Sequence, residues 1–195
     1  MKNKILIIIT FIVLVCLPLK ALAEERNFGA GSLIIPMDAV YQPEADGGIF
    51  EAYGMAFNLL NHLDAGEHDI AIFWIINPDK TAIDGVDFEL EDTTLSSSDA
   101  AVKLYDHDGT SSALTYNTGD SFQKVTYAGA PFIVDAADAA AAKTVINAVN
   151  WAAVEVHEAQ VPFKAPVYRE MRGTPPYIAL MNNTENTEGG NAEIL

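Results

Sequence analysis

The first group of residues that could carry chemistry follows an apolar run, where residues 32–42 read SLIIPMDAVYQ. Asp38, Tyr41 and Gln42 offer a carboxylate, a phenol and an amide, which together could bind a polar ligand or exchange a proton with it. Asp38 is not an obvious helix cap, because no helical period begins for about ten further residues. The sequence therefore leaves two interpretations open, a ligand site or the end of a buried strand.

Three more candidates, Lys80, Asp135 and His157, follow later apolar runs. Ligands of open α/β sheets bind beyond the carboxyl ends of the strands, so we expect these side chains to lie near Asp38. Structural roles compete with this hypothesis. Asp135 stands before a helix start, as a capping residue does, and a lone histidine is often a packing residue.

Alternating apolar and helical segments predict the elements that would position these residues. Residues 32–37 and 69–76 are apolar without alternation, which is typical of strands buried on both faces. Between them, residues 49–63 repeat apolar side chains at helical spacing, with Tyr53 on the apolar face. A strand, a helix and a strand in this order predict a parallel pair joined by a right-handed crossover.

The same order of segments returns in the second half of the chain. PFIVD at 131–135 precedes a helical pattern with Val145 and Ile146 on its apolar face, and AVEVH at 153–157 follows as a strand. YIALM at 177–181 predicts one more strand. We therefore predict an α/β fold, with an open and mostly parallel sheet of about five strands and helices on its faces.

The predicted domain spans residues 24–182 and contains an insertion of different texture at 80–129. Short alternating runs such as DFELED and FQKVTY are separated there by DGV, SSSD, DHDG and NTGD. This pattern predicts about two or three small antiparallel strands. Residues 183–195 are polar, and we expect them to form a flexible tail.

The amino terminus has the pattern of a secretory signal peptide. Lysines open the sequence, an apolar core follows at residues 5–19, and small residues stand at Ala21 and Ala23. The core is shorter than the roughly 20 residues that span a bilayer, so we expect no stable membrane anchor. Cleavage after Ala23 would export the mature chain to the periplasm or the outside of the cell.

The composition limits the possible function classes. The predicted cleavage removes three lysines and no acids, which takes the net charge from −16 to −19. A chain this acidic should repel nucleic acid and anionic lipid, because both are bound mainly through lysine and arginine. Cleavage also removes the only cysteine, Cys16, so we expect no disulfide, thiolate nucleophile or cysteine metal site.

The motifs of several enzyme classes do not occur in the sequence. No glycine-rich phosphate loop follows the first apolar run, and neither G-x-S-x-G nor H-E-x-x-H is present. DHDGT at 106–110 is similar to the nucleophile motif of haloacid dehalogenase-type phosphatases, but too few residues separate Asp106 from Asp135 for the crossovers of that fold. The same acids lack the closing glutamate of a calcium loop. We therefore predict no cofactor and no metal.

Five stretches carry a resemblance to known proteins: SLIIPMDAVYQ, AYGMAFNLL, YAGAPFIVDAADAAAA, EVHEAQVPFKAPVYREM and PPYIALMNN. They resemble the amino-terminal module of a set of large exported bacterial proteins of unassigned function. One departure is Ala130, which stands where a second glycine is expected. By architecture the predicted module also resembles class I glutamine amidotransferases, although it lacks their cysteine.

These observations favour an exported, non-catalytic α/β module that binds a small ligand or a surface partner at the carboxyl ends of its strands. The alternative is a secreted hydrolase that uses Asp38 and His157 as acid and base. Because no helical pattern follows YIALM to cover it, we also expect a partner domain or a second copy at the sheet edge. The candidate binding residues are Asp38, Tyr41, Gln42, Lys80, Asp135 and His157.

Overall fold

The structure is a computed structural model that describes residues 23–42, 48–61, 69–82, 84–91, 101–105, 111–113, 124–149, 151 and 154–173. Ten strands and two helices lie within these ranges. The helices are α1 (Gly48–Asn61) and α2 (Ala139–Asn147). The strands are β1 (Glu24–Phe28), β2 (Leu33–Ile35), β3 (Ile72–Ile75), β4 (Phe88–Glu91), β5 (Val102–Tyr105), β6 (Ser111–Ala113), β7 (Lys124–Tyr127), β8 (Phe132–Val134), β9 (Val156–Ala159) and β10 (Phe163–Met171).

Eight of these strands form one sheet in the order β1-β10-β3-β8-β2-β9-β5-β6, and β4 and β7 form a separate two-stranded sheet. Every pair of neighbouring strands is antiparallel. The predicted α/β fold, an open and mostly parallel sheet of about five strands like that of the amidotransferases, is therefore wrong. The described part of the chain is mostly antiparallel β-structure with two helices.

The two predicted crossovers explain this error. β2 and β3 run in the same direction, but β8 lies between them and runs the opposite way. In the same manner, β8 and β9 share a direction and have β2 between them. Each strand-helix-strand unit is thus split by a strand of the other unit, which is the split β-α-β arrangement. A continuous apolar run indicates burial on both faces, but it does not indicate the direction of the neighbouring strand.

The two helices cover one face of the eight-stranded sheet. Both were predicted, but the buried face of α1 differs from the prediction. Tyr53 was expected inside and is 49% exposed, whereas Met55 and Leu59 are buried. The sequence of α1 is apolar on nearly every side, so its periodicity does not select one face. The side chains that form this layer of the core include Leu33, Ile35, Ala52, Met55, Leu59, Phe132, Val134, Ala142, Val145 and Ile146.

The two-stranded sheet covers the opposite face. β4 and β7 come from the predicted insertion, and their alternation places every second side chain inside. The other two strands of the insertion, β5 and β6, extend the main sheet beyond β9. The molecule therefore has three layers, and the central strands β2, β3 and β8 are buried on both sides. The second layer of the core includes Phe28, Ile34, Phe73, Ile75, Phe88, Leu90, Val125, Tyr127 and Ile133.

Several predicted features lie outside the described residues. They are the signal segment before Ala23, DHDGT at 106–110, the strand at 177–181 and the tail at 183–195. Within the described ranges, no helix combines the length and the apolar composition needed to cross a membrane.

Candidate functional site

Asp38 lies just beyond β2, in the loop that leads towards α1. Its Oδ1 accepts hydrogen bonds from the backbone N–H of Val40 at 3.0 Å and of Tyr41 at 3.3 Å. Its Oδ2 lies 3.5 Å from the backbone nitrogen of Ala128. Burial raises the pKa of Asp38 above its ordinary value, and these backbone donors oppose the shift. Asp38 thus makes the local bonds of an Asx turn, which shape the loop.

Gln42 joins the same loop to the segment before β9. Its Nε2 donates to the backbone oxygens of Pro36 at 3.1 Å and Glu155 at 2.8 Å. Its Oε1 accepts from the backbone N–H of Glu155 at 3.1 Å. Gln42 is completely buried, and both polar ends of its amide are bonded. Buried polar groups need such partners, and through them Gln42 connects the loop after β2 to the segment before β9.

His157 lies inside β9, opposite Ile34, and not at the end of a strand as predicted. It is completely buried, with Nδ1 2.8 Å from the hydroxyl of Tyr127 and Nε2 2.6 Å from Oε1 of Glu155. A carboxylate can only accept, so Nε2 donates to Glu155, and in the neutral ring Nδ1 accepts from Tyr127. The result is a hydrogen-bonded row of phenol, imidazole and carboxylate that ends at the partly exposed Glu155.

Tyr41 covers this row from the side of the loop. Its ring meets that of His157 edge-on, with 4.8 Å between the centroids, and lies 6.0 Å from that of Tyr127. Burial, together with the nearby charges of Asp38 and Glu155, raises the pKa of Tyr41 to about 12. A phenol with this pKa is a poor proton donor at neutral pH, so Tyr41 is not activated for acid catalysis.

Lys80 forms an ion pair with Asp87, which is buried. Its Nζ lies 2.8 Å from Oδ1 and 3.0 Å from Oδ2 of Asp87. The same carboxylate accepts from the backbone N–H of Asn77 at 2.9 Å and of Ala130 at 2.8 Å. These contacts compensate the cost of burying the charge. Lys80 and Asp87 therefore fasten the loop after β3 to the turn before β8.

The turn at residues 128–130 lies between the Asp38 loop and the Lys80 ion pair. Gly129 has a φ of +74°, and a Cβ at this position would lie 2.4 Å from the oxygen of Met37, so the close approach requires glycine. Ala130 has a φ of +62°, a left-handed conformation that costs a residue other than glycine about 1–2 kcal/mol. This is the position where the resembled proteins are expected to carry glycine.

Asp135 follows β8 and lies at the opposite end of the central strands from Asp38. Its Oδ2 is 3.1 Å from a guanidinium nitrogen of Arg26, and its Oδ1 accepts from the backbone N–H of Ala137 at 3.3 Å. Asp138 occupies the N-cap position of α2 without a side-chain cap bond, and its Oδ2 instead accepts from the backbone N–H of Ala71 at 3.3 Å. Asp135 therefore forms an ion pair with β1 and a hydrogen bond with the turn before α2, and it lies far from the other candidates.

Antiparallel pairing is the reason for this separation. Leu33 pairs with Val134 and Ile35 with Phe132, so β2 ends where β8 begins. The expectation that all candidates share one edge required parallel strands and is wrong for Asp135. The other five candidates and their partners form a group that we call the polar edge. Its members are Asp38, Tyr41, Gln42, Lys80, Asp87, Tyr127, Glu155 and His157.

Three members of the polar edge, Asp87, Tyr127 and Glu155, were not among the sequence candidates. Glu155 stands two positions before His157, and the strand period of two places both side chains on one side, so this neighbour was detectable. Tyr127 ends the alternating run KVTY, which is a weaker signal. The burial of Asp87 depends on the approach of residues distant in sequence, and no local pattern indicates it.

The polar edge is a bonded network in which most polar side-chain atoms have partners within the fold. The imidazole of His157 could pass a proton between Tyr127 and Glu155, but it is completely buried, and a substrate could reach it only by disrupting its packing. In the described ranges, no group of three or more His, Cys, Asp or Glu side chains could hold a metal ion.

A different surface carries exposed aromatic side chains. On α1, Phe50, Tyr53 and Phe57 are 87%, 49% and 46% exposed. Residues three and four positions apart are neighbours on a helix, so these rings form one stripe along α1. Scattered exposed apolar residues are normal, but a contiguous group of this kind is typical of an interaction surface.

The stripe continues from α1 onto the central sheet. The ring of Tyr53 contacts Phe132, with 5.8 Å between centroids, and Phe132 lies 6.2 Å from Trp74. Trp74 in turn meets the half-exposed Tyr168 of β10 at 5.5 Å. Phe132 itself is buried, so the exposed rings are connected beneath the surface through it, and we call the exposed group the aromatic face. It consists of Phe50, Tyr53, Phe57, Trp74 and Tyr168.

Comparison of the chain with protein-family models, with curated proteins and with solved structures finds no match. Function must therefore be inferred from the polar edge and the aromatic face themselves.

Proposed function

We propose that the chain is an exported, non-catalytic binding module that docks a partner protein on its aromatic face. The observation that carries the proposal is the difference in bonding between the two surfaces. The side chains of Gln42, Lys80 and His157 are bonded inside the fold. The rings of Phe50, Tyr53 and Phe57, in contrast, are exposed to solvent.

The contacts of the polar edge weigh against the alternative of a hydrolase. An acid and a base must both reach one substrate bond. Asp38 is engaged by the backbone of its own loop, and His157 is enclosed between Tyr127 and Glu155. The raised pKa of Tyr41, whose ring contacts His157, also makes this phenol a poor proton donor at neutral pH.

The aromatic face has the composition that protein partners use. Exposed aromatic residues are enriched among the side chains that contribute most to binding. Full burial of a phenylalanine side chain contributes about 1.5–3 kcal/mol, and each 1.4 kcal/mol or so corresponds to a tenfold change in affinity. Burial of Phe50 and Phe57 by a partner could therefore supply much of a moderate affinity.

The charge of the chain suggests the chemistry of the partner. The net charge is −16, and α1 itself contains Glu51 and no basic residue. A partner with an apolar groove and a basic rim would complement this surface, because opposite charges speed the encounter and disfavour acidic competitors.

The start of the fold is consistent with export. β1 begins at Glu24, the residue that the predicted cleavage after Ala23 would make the new amino terminus. Cleavage there would leave every described strand and helix intact, as a mature exported domain requires.

A defined probe tests the docking proposal, namely a helical peptide built of leucine and lysine, which presents an apolar face with a basic rim. We expect the chain that begins at Glu24 to bind it, and the double substitution Phe50→Ser and Phe57→Ser to weaken binding at least about tenfold. Fluorescence anisotropy of the labelled peptide measures the affinity. The matched control is Val40→Ser, which removes an exposed apolar side chain of the Asp38 loop.

Equal affinities of the double variant and the control would contradict docking on the aromatic face and would indicate attraction by net charge alone. A second result would contradict the non-catalytic role. Turnover of a phosphatase, glycosidase, esterase or peptidase substrate that Glu155→Gln abolishes without unfolding the chain would instead support the hydrolase.

A further inference from the structure

The turn at residues 128–130 connects the polar edge to the aromatic face through the backbone of Ala130. On one side, the backbone N–H of Ala130 donates to Oδ2 of Asp87 at 2.8 Å. On the other side, the backbone oxygen of Ala130 accepts from Nε1 of Trp74 at 3.1 Å. A hydrogen-bonded path therefore leads from the buried carboxylate of Asp87 to a ring of the aromatic face.

Ala130 holds an unfavourable conformation at this junction. Its φ of +62° lies in the left-handed region, and no other residue except glycine has a positive φ in the described part of the chain. Such conformations persist only where the surrounding structure enforces them, and they cluster at functional sites. The outlier at Ala130 therefore indicates a role for this residue beyond closing the turn.

Contacts on two sides of the turn enforce this conformation. The backbone N–H of Asp87 donates to the oxygen of Tyr127 at 2.8 Å, so Asp87 is bonded to residues before and after the glycine of the turn. Both carboxylate oxygens of Asp87 are in turn bonded by Nζ of Lys80. On the other side, a Cβ at Gly129 would lie 2.4 Å from the oxygen of Met37, so the loop after β2 blocks movement in that direction.

Trp74, which accepts this guidance through its indole N–H, joins the two parts of the aromatic face. Its ring meets that of Tyr168 at right angles, with 5.5 Å between centroids. On the side of α1 it lies 6.2 Å from Phe132, the ring that contacts Tyr53. A partly buried indole needs an acceptor for its N–H, and the position of that acceptor fixes the rotation of the ring.

We propose that Ala130 is a positioning residue for docking, through which the Lys80–Asp87 ion pair orients Trp74 on the aromatic face. This role rests on the docking function proposed above and names the part of the fold that prepares the docking surface. Rings that are oriented in advance lose less conformational freedom on binding, so the orientation of Trp74 contributes to affinity. The polar edge thus supports docking without contacting the partner.

Two substitutions of Ala130 separate the conformation of the turn from the identity of the side chain. Ala130→Val should force the turn out of its conformation, because a β-branched residue at positive φ is a genuine outlier. Ala130→Gly should keep the conformation, because glycine adopts positive φ readily. The matched control is Ala140→Val, which adds the same side chain at an exposed position of α2.

The indole N–H of Trp74 reports its bond to Ala130 directly. The chain contains two tryptophans, so proton–nitrogen NMR spectra show two indole signals, and Trp74→Phe assigns one of them. We expect Ala130→Val to speed the exchange of the Trp74 indole hydrogen with solvent at least about tenfold. Ala130→Gly and the control should leave this exchange unchanged. Unchanged exchange in Ala130→Val would overturn the proposal.

Binding of the helical peptide of leucine and lysine tests whether this orientation matters for docking. We expect Ala130→Val to weaken the peptide at least about threefold, and Ala130→Gly to bind like the control. Faster indole exchange with unchanged affinity would overturn the positioning role and leave the docking function standing. Binding that is insensitive to Phe50→Ser and Phe57→Ser would contradict the docking function itself and the positioning role with it.

A double-mutant cycle covers the case in which Ala130→Val does not fold. Asp87→Asn leaves one side-chain oxygen for two backbone N–H groups, those of Asn77 and Ala130, and adds no bulk to the turn. If Asp87 acts on docking through Trp74, Asp87→Asn should weaken the peptide in the unsubstituted chain and hardly at all in Trp74→Phe. Additive effects of these two substitutions on the affinity would overturn the proposal.

Discussion

The polar edge and the aromatic face differ in where their side chains find partners. In the polar edge, Asp87 receives four hydrogen bonds from Lys80 and two backbone groups, and Gln42 ties two distant segments together. On the aromatic face, Phe50 contributes a ring that is 87% exposed. The residues with the most evident chemistry therefore hold the fold together, and less conspicuous apolar residues remain available to a partner.

The two possible roles of the polar edge, structural support and ligand binding, predict different effects of substitution. If the polar edge is structural, variants that remove a buried partner should lose stability, whereas Asp38→Asn, which keeps an acceptor for the backbone, should lose little. If it is a ligand site, they should lose binding and keep their stability. The following variants test this difference in order of decreasing expected effect.

Asp87→Ala should give the largest loss. The substitution leaves the Lys80 ammonium largely buried without its partner and removes acceptors from the backbone N–H groups of Asn77 and Ala130. Breaking a buried ion pair in this way costs about 3–5 kcal/mol. Urea unfolding followed by circular dichroism measures the change. The control is Glu89→Ala, whose carboxylate pairs with Lys124 at the exposed surface of the small sheet, and we expect it to change the midpoint little. A similar loss of stability in both variants would contradict a structural role for the Lys80–Asp87 ion pair.

Tyr127→Phe should have an intermediate effect. It keeps the buried ring and removes the hydroxyl that lies 2.8 Å from Nδ1 of His157. A buried acceptor left without its donor costs about 1–3 kcal/mol. The same substitution at Tyr53, whose ring is half-exposed, is the control and should change the free energy of unfolding much less. Unchanged stability of Tyr127→Phe would show that the row from Tyr127 to Glu155 does not support the fold.

Asp38→Asn should change the stability least, and the direction of this change depends on the pH. Burial raises the pKa of Asp38 above its ordinary value of 3.8. The folded state therefore binds this proton more tightly than the unfolded state, and the resulting stability is present below 3.8 and lost as the pH rises through the raised pKa. Asparagine keeps an acceptor for Val40 and does not titrate.

The stability of Asp38→Asn relative to the unsubstituted chain should therefore increase as the pH rises from below 3.8. At neutral pH its thermal midpoint should lie within a few degrees of the original, roughly the effect of less than 1 kcal/mol. Thermal unfolding at a series of pH values measures both. A large loss of stability at every pH would mean that the charged carboxylate is essential to the Asx turn.

The sequence predictions succeeded where the signal is local. The helices α1 and α2 and the strands β2, β3 and β8 lie in the segments predicted for them, because hydrophobic spacing reflects the backbone period of each element. The grouping of Asp38, Tyr41 and Gln42 in one loop also followed from their closeness in sequence. The prediction that Asp135 joins them was wrong, because it depended on the direction of β8 relative to β2.

By itself, the sequence determined which segments are buried on both faces, where helices form and which residues are polar at the ends of apolar runs. Only the tertiary structure decided that β8 enters between β2 and β3, that Lys80 finds Asp87, and that α1 turns Phe50 outward. The physical reason is the distance along the chain between the residues that determine each feature. Backbone periodicity is set by neighbouring residues, whereas strand order, burial of a charge and rotation of an apolar helix depend on contacts between residues far apart in the chain.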